Sequence, residues 1–470
     1  MIVWLLILVL VLAFYIYIEF TPKDVDPHFL THQAAITSTR ISGETAVYRS
    51  LVNDHGRALL GSAAPINKFT LTHLWKDLDN FRIAHVNQTG TTHEISDLKR
   101  LIRDVQQSIS TLEEGCRVPI SFGASVEGMA VFLAVCFSGR VPVLLKAHTH
   151  GVHDEEEEQP IISEVEYEFG SGSTGINVLI NGEKKTIPLF LEKAAEQVSD
   201  SEITIKSNGV ALVSNGTEIS ETDIGVSIAA QLTAVGVQHR WSKQDTVFMA
   251  PASMTVNSIV MMLTALSSGA ALLFAETSPT LSAATILSQA KPTIMVSDDV
   301  SMRTLCKIAD DYRIFEWAQY FVRLLRLAKG KLGPTAMVDG FQYLRLVHTA
   351  TGPDPFQWLS NGEMSRLRIL TGTQLIHMYT PDSGMPITQT SVGDYRSRKL
   401  PGVNMGPPLP GLEIKKRGKS LLVHKANHED YVAVREDCSA NAKLGMDGCL
   451  YVPEKRHDFS MYYYYTGELK

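Results

Sequence analysis

The sequence predicts an α/β protein with parallel sheets in several layers, preceded by one N-terminal transmembrane helix. The first eighteen residues carry no charge, which is typical of a membrane span. The rest of the chain alternates short apolar strands with helices whose apolar residues recur at helical spacing. With 470 residues, of which 44% are hydrophobic and 20% charged, the chain is long and apolar enough to bury a large core.

Residues 1–18 (MIVWLLILVLVLAFYIYI) form the first predicted element. At ~1.5 Å per residue such a helix covers ~27 Å, close to the ~30 Å hydrocarbon layer. Trp4, Tyr15 and Tyr17 lie near its ends, where aromatic rings favour the membrane interface. A cleaved signal peptide fits less well, because the segment has neither a basic start nor a small-residue cleavage site. We therefore expect residues 1–20 to be a single-pass anchor, with almost no charge bias to orient it.

The charge balance and the cysteines limit the compartment and the partners. The chain has 43 Lys and Arg against 50 Asp and Glu, a net charge of −7, which argues against a nucleic-acid partner. Five cysteines without a Cys-x-x-Cys pair suit a reducing compartment. We expect the soluble part to face the cytosol from the endoplasmic reticulum, the mitochondrial outer membrane or a lipid droplet.

We expect residues 21–90 to form a connecting region and residues 91–470 to form one large domain. Leu98 to Leu112 have helical spacing, with Ser96 as a cap and Gly115 as the end. The next three segments are predicted to be a strand over 117–122, a helix over 125–137 and a strand over 141–145. Short connections make them a parallel unit with a right-handed crossover.

The stretch 148–160 (HTHGVHDEEEEQP) interrupts this alternation with three histidines beside five carboxylates. Its spacing matches no standard set of metal ligands, so a solvated acidic loop is the favoured interpretation. The alternation resumes with a strand over 210–213, and Ser220 to Asp223 form a capping box before a helix over 224–235. Further strands are predicted over 246–249, 270–274 and 293–296, and a helix over 259–266.

The candidate phosphate loop is Gly170 to Gly175 (GSGSTG), which directly follows the alternating strand-like run 164–169. Three glycines let successive backbone N–H groups converge on an anion, and the hydroxyls add donors. The loop is not a Walker A motif, because no Gly-Lys-Ser/Thr follows. A flexible turn at a strand end is an equally good interpretation of these residues alone.

Four further segments follow in order. Leu344 to Gly352 is a strand that enters a tight turn, and the strand Gln374 to Tyr379 runs into Thr-Pro-Asp-Ser-Gly. The turn-rich run 402–411 contains GPPLPG at 406–411, before a strand over 412–415. Residues 458–470 read DFSMYYYYTGELK.

This order of segments, over roughly residues 90–470, resembles the large N-terminal domain of the adenylate-forming superfamily. That superfamily includes acyl-CoA synthetases, luciferases and peptide-synthetase adenylation domains. The resemblance implies an acyl-CoA synthetase-like multi-layer fold with ATP or AMP and Mg²⁺ as ligands. The aromatic-rich helix over 315–332 looks most like the long-chain branch, which implies a fatty acid or acyl lipid as a partner. The residues that match the family's nucleotide-binding motifs are Ser171, Gly172, Ser173, Thr174 and Gly175 (phosphate loop), Thr351 and Gly352 (adenine turn), Tyr379 and Asp382 (the Tyr-Gly-x-Thr-Glu segment) and Glu468 (ribose).

The departures from the family pattern concern charge. No Pro-Lys-Gly follows Gly175, and Ser383 stands where the family has its Mg²⁺-binding Glu. Glu468 replaces the ribose-binding Asp, and the sequence ends where the family continues into a small mobile C-terminal domain that carries a catalytic lysine. Ser214 to Thr217 is a second candidate for the phosphate loop. Asp382 is interpreted as a turn residue or, less favourably, as a displaced metal ligand.

These features give three hypotheses. The favoured one is a membrane-tethered pseudoenzyme that serves lipid-related binding or acts as an assembly subunit with a protein partner. The second is an active ATP-dependent fatty acid ligase. The third is a lipid-surface protein, because the segment 312–331 mixes aromatic and basic residues as interfacial helices do. Whether nucleotide still binds is left open.

Overall fold

The computed structural model contains two large sheets whose shared helices form the core. It describes residues 21–39, 41–51, 59–60, 64–65, 82–86, 95–145, 162–164, 175–180, 183–188, 209–250, 254–275, 283–308, 314–333, 335–338, 340–352, 355–381, 384–396, 400–425, 430–434 and 441–453. In the N-terminal segment it describes positions 4, 9, 12, 13, 16, 17 and 19.

The helices follow one another between and around these sheets. Their bounds are α1 Pro27–Thr31, α2 Ile95–Ser108, α3 Val126–Phe137, α4 Glu221–Ala234, α5 Val256–Ser268, α6 Ala283–Ala290, α7 Asp299–Ile308, α8 Ile314–Ala328 and α9 Asn361–Thr371. The predicted helices over 125–137, 224–235 and 259–266 are confirmed as α3, α4 and α5. The helix predicted over 98–112 is confirmed as α2, although Ser96 lies inside it and does not cap it.

Seven strands form the central sheet, in the order β18-β17-β16-β15-β13-β14-β5. All neighbours are parallel except the edge pair β17 and β18. Their carboxyl ends therefore lie along one edge of the sheet, where ligands bind in open α/β sheets. The bounds are β5 Ile83–Val86, β13 Thr246–Met249, β14 Ala271–Ala275, β15 Ile294–Asp298, β16 Leu346–Ala350, β17 Gln374–Tyr379 and β18 Thr388–Gln389.

The second sheet also has seven strands, in the order β10-β9-β8-β6-β7-β11-β12. Its middle strands are parallel, as predicted for the unit over 117–145, and an antiparallel hairpin closes each edge. The bounds are β6 Arg117–Ser121, β7 Val141–Leu144, β8 Ile162–Glu164, β9 Gly175–Ile180, β10 Glu183–Pro188, β11 Val210–Ser214 and β12 Thr217–Ser220.

The remaining strands form three small antiparallel sheets, β1-β2-β20-β21-β22, β19-β24-β23 and β3-β4. Residues 21–90, predicted as a connecting region, thus supply β1 and β2 to one sheet and β5 to the central sheet. The bounds are β1 Ala34–Ile36, β2 Tyr48–Ser50, β3 Leu59–Leu60, β4 Ala64–Pro65, β19 Val403–Gly406, β20 Leu412–Arg417, β21 Ser420–Lys425, β22 Val432–Ala433, β23 Lys443–Leu444 and β24 Leu450–Val452.

The largest hydrophobic cluster joins the two large sheets through α3 and α5. Eleven of the twelve α3 residues are buried, as expected for a helix that is apolar on all sides. Ser125 caps α3, because its side chain accepts a hydrogen bond from the backbone N–H of Gly128 at 3.1 Å. Ser220 and Asp223 form the predicted capping box of α4. These caps fix where the two helices begin.

The described positions of residues 1–20 are helical and solvent-exposed, with Trp4 76% and Leu12 57% exposed. The backbone N–H of Thr21 donates to the carbonyl of Tyr17 at 3.1 Å, which continues the helical turn. Within the ranges given above, no helix reaches the length and apolarity that a membrane crossing requires. The acidic stretch 148–160 lies outside the described residues.

Candidate functional site

The carboxyl ends of β16 and β17 meet at the predicted adenine turn. Because β16 and β17 are parallel neighbours, Thr351 and Thr380 follow them side by side. The backbone N–H of Thr380 donates to Thr351 Oγ1 at 2.8 Å, and the Thr380 hydroxyl donates to the Thr351 carbonyl. Thr351 is 4% exposed and Thr380 is 6% exposed. The two strand ends are therefore fastened together, and we call Thr351, Gly352, Tyr379 and Thr380 the carboxyl edge.

Trp358 covers this carboxyl edge. It lies between the turn after β16 and helix α9, whose capping box at Ser360 and Glu363 fixes the chain just beyond it. Its indole Nε1–H donates to the carbonyl of Gly352 at 2.7 Å. Its ring also meets the ring of Tyr379 edge-on, with the two centroids 5.6 Å apart. Trp358 is buried and Tyr379 is only 1% exposed, so the indole shields the tyrosine ring from solvent.

The buried carboxylate of Asp299 accepts several hydrogen bonds next to the carboxyl edge. Asp299 begins α7 directly after β15, where it accepts hydrogen bonds from Thr349 Oγ1 at 2.8 Å and from the backbone N–H of Leu359 at 3.0 Å. Nε2 of His377 lies 2.9 Å from the same carboxylate. Asp299, Thr349 and His377 are all fully buried. Because Leu359 is adjacent to Trp358, this cluster also positions the covering indole.

His348 lies on the other face of β16. It is fully buried, and neither ring nitrogen has a hydrogen-bond partner among the described residues. Burial lowers the pKa of His348 to about 3, and the positive charge of Arg345 adds to this effect. The ring of Trp241 meets it edge-on at 5.4 Å. At neutral pH, His348 is therefore an uncharged packing residue.

The structure brings together three of the residues predicted to bind nucleotide: Thr351, Gly352 and Tyr379. Gly175 is the first residue of β9 and pairs with Pro188 of β10, so it belongs to a hairpin strand. Gly175, predicted as the last residue of the phosphate loop, is therefore a strand residue, because the hydrogen-bonded ladder of the hairpin begins there. The predicted residues that lie outside the described part of the chain are Ser171, Gly172, Ser173, Thr174, Asp382 and Glu468.

The second phosphate-loop candidate, Ser214 to Thr217, is the two-residue hairpin turn between β11 and β12. Asn215 has φ 48° and Gly216 has φ 75°, the left-handed pair that a tight hairpin turn requires. The turn is exposed at the sheet edge and does not open a helix N-terminus. It therefore has the form of a turn and not of an anion cradle.

The segment GPPLPG at 406–411 runs antiparallel beside β18, the edge strand of the central sheet. Leu409 N–H donates to the Ile387 carbonyl at 3.0 Å, and Gln389 N–H donates to the Pro407 carbonyl at 3.2 Å. Gly406 has φ 76°, and a Cβ there would lie 1.8 Å from the carbonyl oxygen of Gln389. Only glycine permits this close approach, which explains the first residue of the motif.

Comparison with solved structures identifies the architecture. O-succinylbenzoate coenzyme A synthetase from Bacillus subtilis aligns with a TM-score of 0.53 and 13% identity, over 82% of this chain and 78% of that one. A long-chain-fatty-acid-CoA ligase from Archaeoglobus fulgidus aligns with a TM-score of 0.52 and 12% identity, over 83% and 84%. McyG A-PCP complexed with phenylalanyl-adenylate gives a TM-score of 0.54 and 12% identity, over 83% and 66%.

This chain has the acyl-CoA synthetase-like fold of the adenylate-forming enzymes. The predicted α/β class with parallel sheets is thereby confirmed. No protein-family model and no curated protein matches the sequence. At 12–13% identity the likeness establishes the fold alone, so activity has to be argued from the site.

The indole of Trp358 contacts two of the residues that the resemblance assigns to nucleotide binding. It donates to the carbonyl of Gly352, in the turn that the resemblance assigns to adenine, and it meets the ring of Tyr379 edge-on. In the part of the chain that the structure describes, no three His, Cys, Asp or Glu side chains are grouped to hold a metal ion.

Sequence reasoning missed Trp358, Asp299 and His377. A carboxylate immediately after the buried strand 294–298 was a usable signal, because ligands in open α/β sheets bind at the carboxyl ends of the strands. Nothing local marks Trp358, since its contacts join it to Gly352 and Tyr379, which are six and twenty-one residues away.

Proposed function

We propose that this chain is a membrane-anchored, non-catalytic relative of the adenylate-forming enzymes that serves lipid-related binding or acts as an assembly subunit. The observation that carries this proposal is the contact of Trp358 with both Gly352 and Tyr379. We infer from these two contacts that the indole occupies the place beside the Gly352 turn that adenine would need, so that ATP does not bind there.

The surroundings of Trp358 support a permanent arrangement. Its ring is 7% exposed, and the neighbouring Leu359 N–H is held by the buried carboxylate of Asp299. Moving the indole away would expose the ring and break the bond from its Nε1–H to the Gly352 carbonyl. Both changes oppose movement of the indole out of its position, since a buried polar group without a partner costs about 1–3 kcal/mol.

The lipid part of the proposal rests on sequence and on one neighbour. Residues 1–18 are uncharged and long enough to span a bilayer, and we propose that they anchor the protein in a membrane with the large domain in the cytosol. The Archaeoglobus fulgidus neighbour is named for long-chain fatty acids. An acyl lipid is therefore the ligand class we propose for this protein, with another protein as its partner in assembly.

The direct test uses the full chain in detergent with ATP, Mg²⁺, coenzyme A and a long-chain fatty acid. Pyrophosphate release and thioester formation are measured, with an active long-chain fatty acid ligase as the positive control. We expect both signals to stay at the level of buffer. Turnover at about 1 s⁻¹ or faster, an ordinary enzymatic rate, would show an active ligase and overturn the proposal.

Anchoring is tested separately by alkaline carbonate extraction of membranes from cells that express the full chain. The protein is expected to stay in the membrane pellet. A variant in which Leu6, Leu8 and Leu10 are each replaced by Lys is expected to be extracted. Release of the unaltered protein by carbonate would contradict the anchor and leave the proposal about Trp358 standing.

A further inference from the structure

Helix α8 is apolar on two adjacent faces, which lie roughly 115° apart at ~100° per residue. Its inner face packs onto the domain, where Leu327 is buried against Ile369 and Tyr395, with Tyr320 and Leu324 beside it. Arg323 adds hydrogen bonds to Thr335 and to the carbonyl of Ile369. A helix with one packed face normally presents polar residues on the other, because water solvates that side.

The outer face of α8 instead presents an apolar stripe. Phe321 is 50% exposed and Leu325 is 40% exposed. Ala318 and Ala328 are exposed as well, so the four residues recur at spacings of three and four and lie along one line of the helix. We call Ala318, Phe321, Leu325 and Ala328 the outer stripe.

The apolar N-terminal segment leaves the domain beside the end of α8. The Arg326 guanidinium lies over the ring of Tyr17, 5.9 Å from its centroid. Lys329 Nζ pairs with Glu19, the first charged residue of the chain, at 2.6 Å. Asp24 N–H then donates to the carbonyl of Gly330 at 3.1 Å. Three successive contacts thus fix where the segment meets the domain.

We propose that the outer stripe of α8 lies in the interface of the membrane that holds residues 1–18. The occupant of this face is the lipid bilayer itself. The inference rests on the proposed anchor, because the contacts at Tyr17 and Glu19 bring α8 to the point where the anchor enters the membrane. An interfacial helix buries its apolar face by about 5–10 Å at the boundary of headgroups and acyl chains.

Charge supports lipid as the occupant. Arg326, Lys329 and the exposed Lys23 surround the C-terminal end of α8, close to the anchor. Basic residues next to a membrane span are attracted to the anionic lipids of the cytoplasmic leaflet. The outer stripe ends at Ala328, next to Lys329, and it therefore has the composition of a membrane-facing surface.

The test measures depth in the full chain reconstituted into vesicles of phosphatidylcholine with 20% phosphatidylserine, a composition chosen for the assay. A genetically encoded, environment-sensitive fluorescent amino acid replaces Leu325, Val9 or Val237 in three separate proteins. Val9 reports on the anchor, and Val237, which is 76% exposed, is the control on the domain surface. Quenching by lipids with a nitroxide near the headgroup is recorded for each.

We expect strong quenching at Leu325, quenching at Val9, and almost none at Val237. A further protein carries the fluorophore at Ala328 together with Phe321→Glu and Leu325→Glu. Its quenching is expected to fall several-fold, whereas Val237→Glu with Met446→Glu, a matched pair of exposed apolar residues, leaves it unchanged. Quenching at Val9 without quenching at Leu325 overturns the inference and keeps the anchor. An absence of quenching at both positions overturns both.

Discussion

The carboxyl edge of the central sheet and the outer stripe of α8 are built in opposite ways. At the carboxyl edge, where open α/β sheets bind ligands, Thr351 and Tyr379 are buried, as is Trp358, which contacts this edge. On α8, where a helix packed on one face normally shows polar residues to water, Phe321 and Leu325 are exposed. Polar side chains are thus buried at the strand ends, whereas apolar side chains are exposed on α8.

This difference indicates where the molecule meets its surroundings. Buried side chains that form hydrogen bonds with one another, as Asp299 does with Thr349 and His377, are not available to bind a small ligand. Side chains that a fold leaves apolar and uncovered are available to a partner that removes them from water. The comparison predicts large effects on stability at the carboxyl edge and small ones on the outer stripe.

The largest effect is expected at Asp299. Asp299→Ala removes the carboxylate that accepts hydrogen bonds from Thr349 and Leu359 and that pairs with His377, all without access to water. We expect a loss of about 3–5 kcal/mol in the free energy of unfolding, measured by urea denaturation. Asp298→Ala is the control: it removes the carboxylate that accepts a hydrogen bond from the Ser301 N–H at the start of α7 and should cost about 1 kcal/mol. Equal losses in the two variants would contradict the buried cluster.

The next effect concerns pH and His348. Burial lowers the pKa of this residue to about 3, while an unfolded histidine titrates near 6.5. As pH falls below 6.5, the unfolded chain binds a proton there that the folded chain does not, so stability is lost between pH 6.5 and 3. From pH 7 to 5 the protein should lose about 2 kcal/mol more than His348→Leu, because one proton changes stability by about 1.4 kcal/mol per pH unit. Urea titrations at both pH values measure this, and identical pH dependence in the two proteins would show that His348 is solvated.

A smaller loss is expected at Thr351. Thr351→Val removes the acceptor of the Thr380 N–H and leaves that group buried without its partner. The expected cost is on the order of 1–2 kcal/mol in urea denaturation. Thr264→Val, in a helix where only a hydroxyl donor to the Val260 carbonyl is lost, should cost less than this. An unchanged free energy of unfolding in Thr351→Val would mean that this hydrogen bond does not join the two strand ends.

The smallest effect is expected on the outer stripe. Phe321→Glu with Leu325→Glu changes two exposed side chains and should alter the free energy of unfolding in detergent solution by no more than about 0.5 kcal/mol. Thermal or urea unfolding measures this. A loss above about 2 kcal/mol would show that the stripe packs within the protein and is not a free surface.

Much of the fold follows from local sequence. The unit β6-α3-β7 was predicted because its apolar runs are local signals that agree with the final packing, although Ser125, predicted inside the helix, is its N-cap. The strand 374–379 was predicted with its observed bounds for the same reason. The hairpin of β9 and β10 was not predicted. The Gly and Ser residues before it favoured a loop that was expected to include Gly175, which is the first residue of β9.

The site was harder to predict, since its decisive contacts join distant residues. Motif order singled out Thr351, Gly352 and Tyr379, which lie at the ends of the neighbouring strands β16 and β17. The motifs do not indicate that Trp358 contacts these residues. That contact depends on the path of the chain between the end of β16 and the start of α9. The Asp299 cluster likewise needs β15, β16 and β17 in register before its four groups meet.

The occlusion of the adenine position is tested most directly by titrating AMP into the unaltered protein and into Trp358→Ala, with calorimetry or saturation-transfer NMR as the readout. Trp241→Ala, which removes another buried indole away from the carboxyl edge, is the matched control, and Trp358→Leu repeats the test with a smaller cavity. Occlusion predicts that AMP binds Trp358→Ala and binds neither the unaltered protein nor Trp241→Ala. Binding of AMP to the unaltered protein with the same affinity as to Trp358→Ala would contradict it.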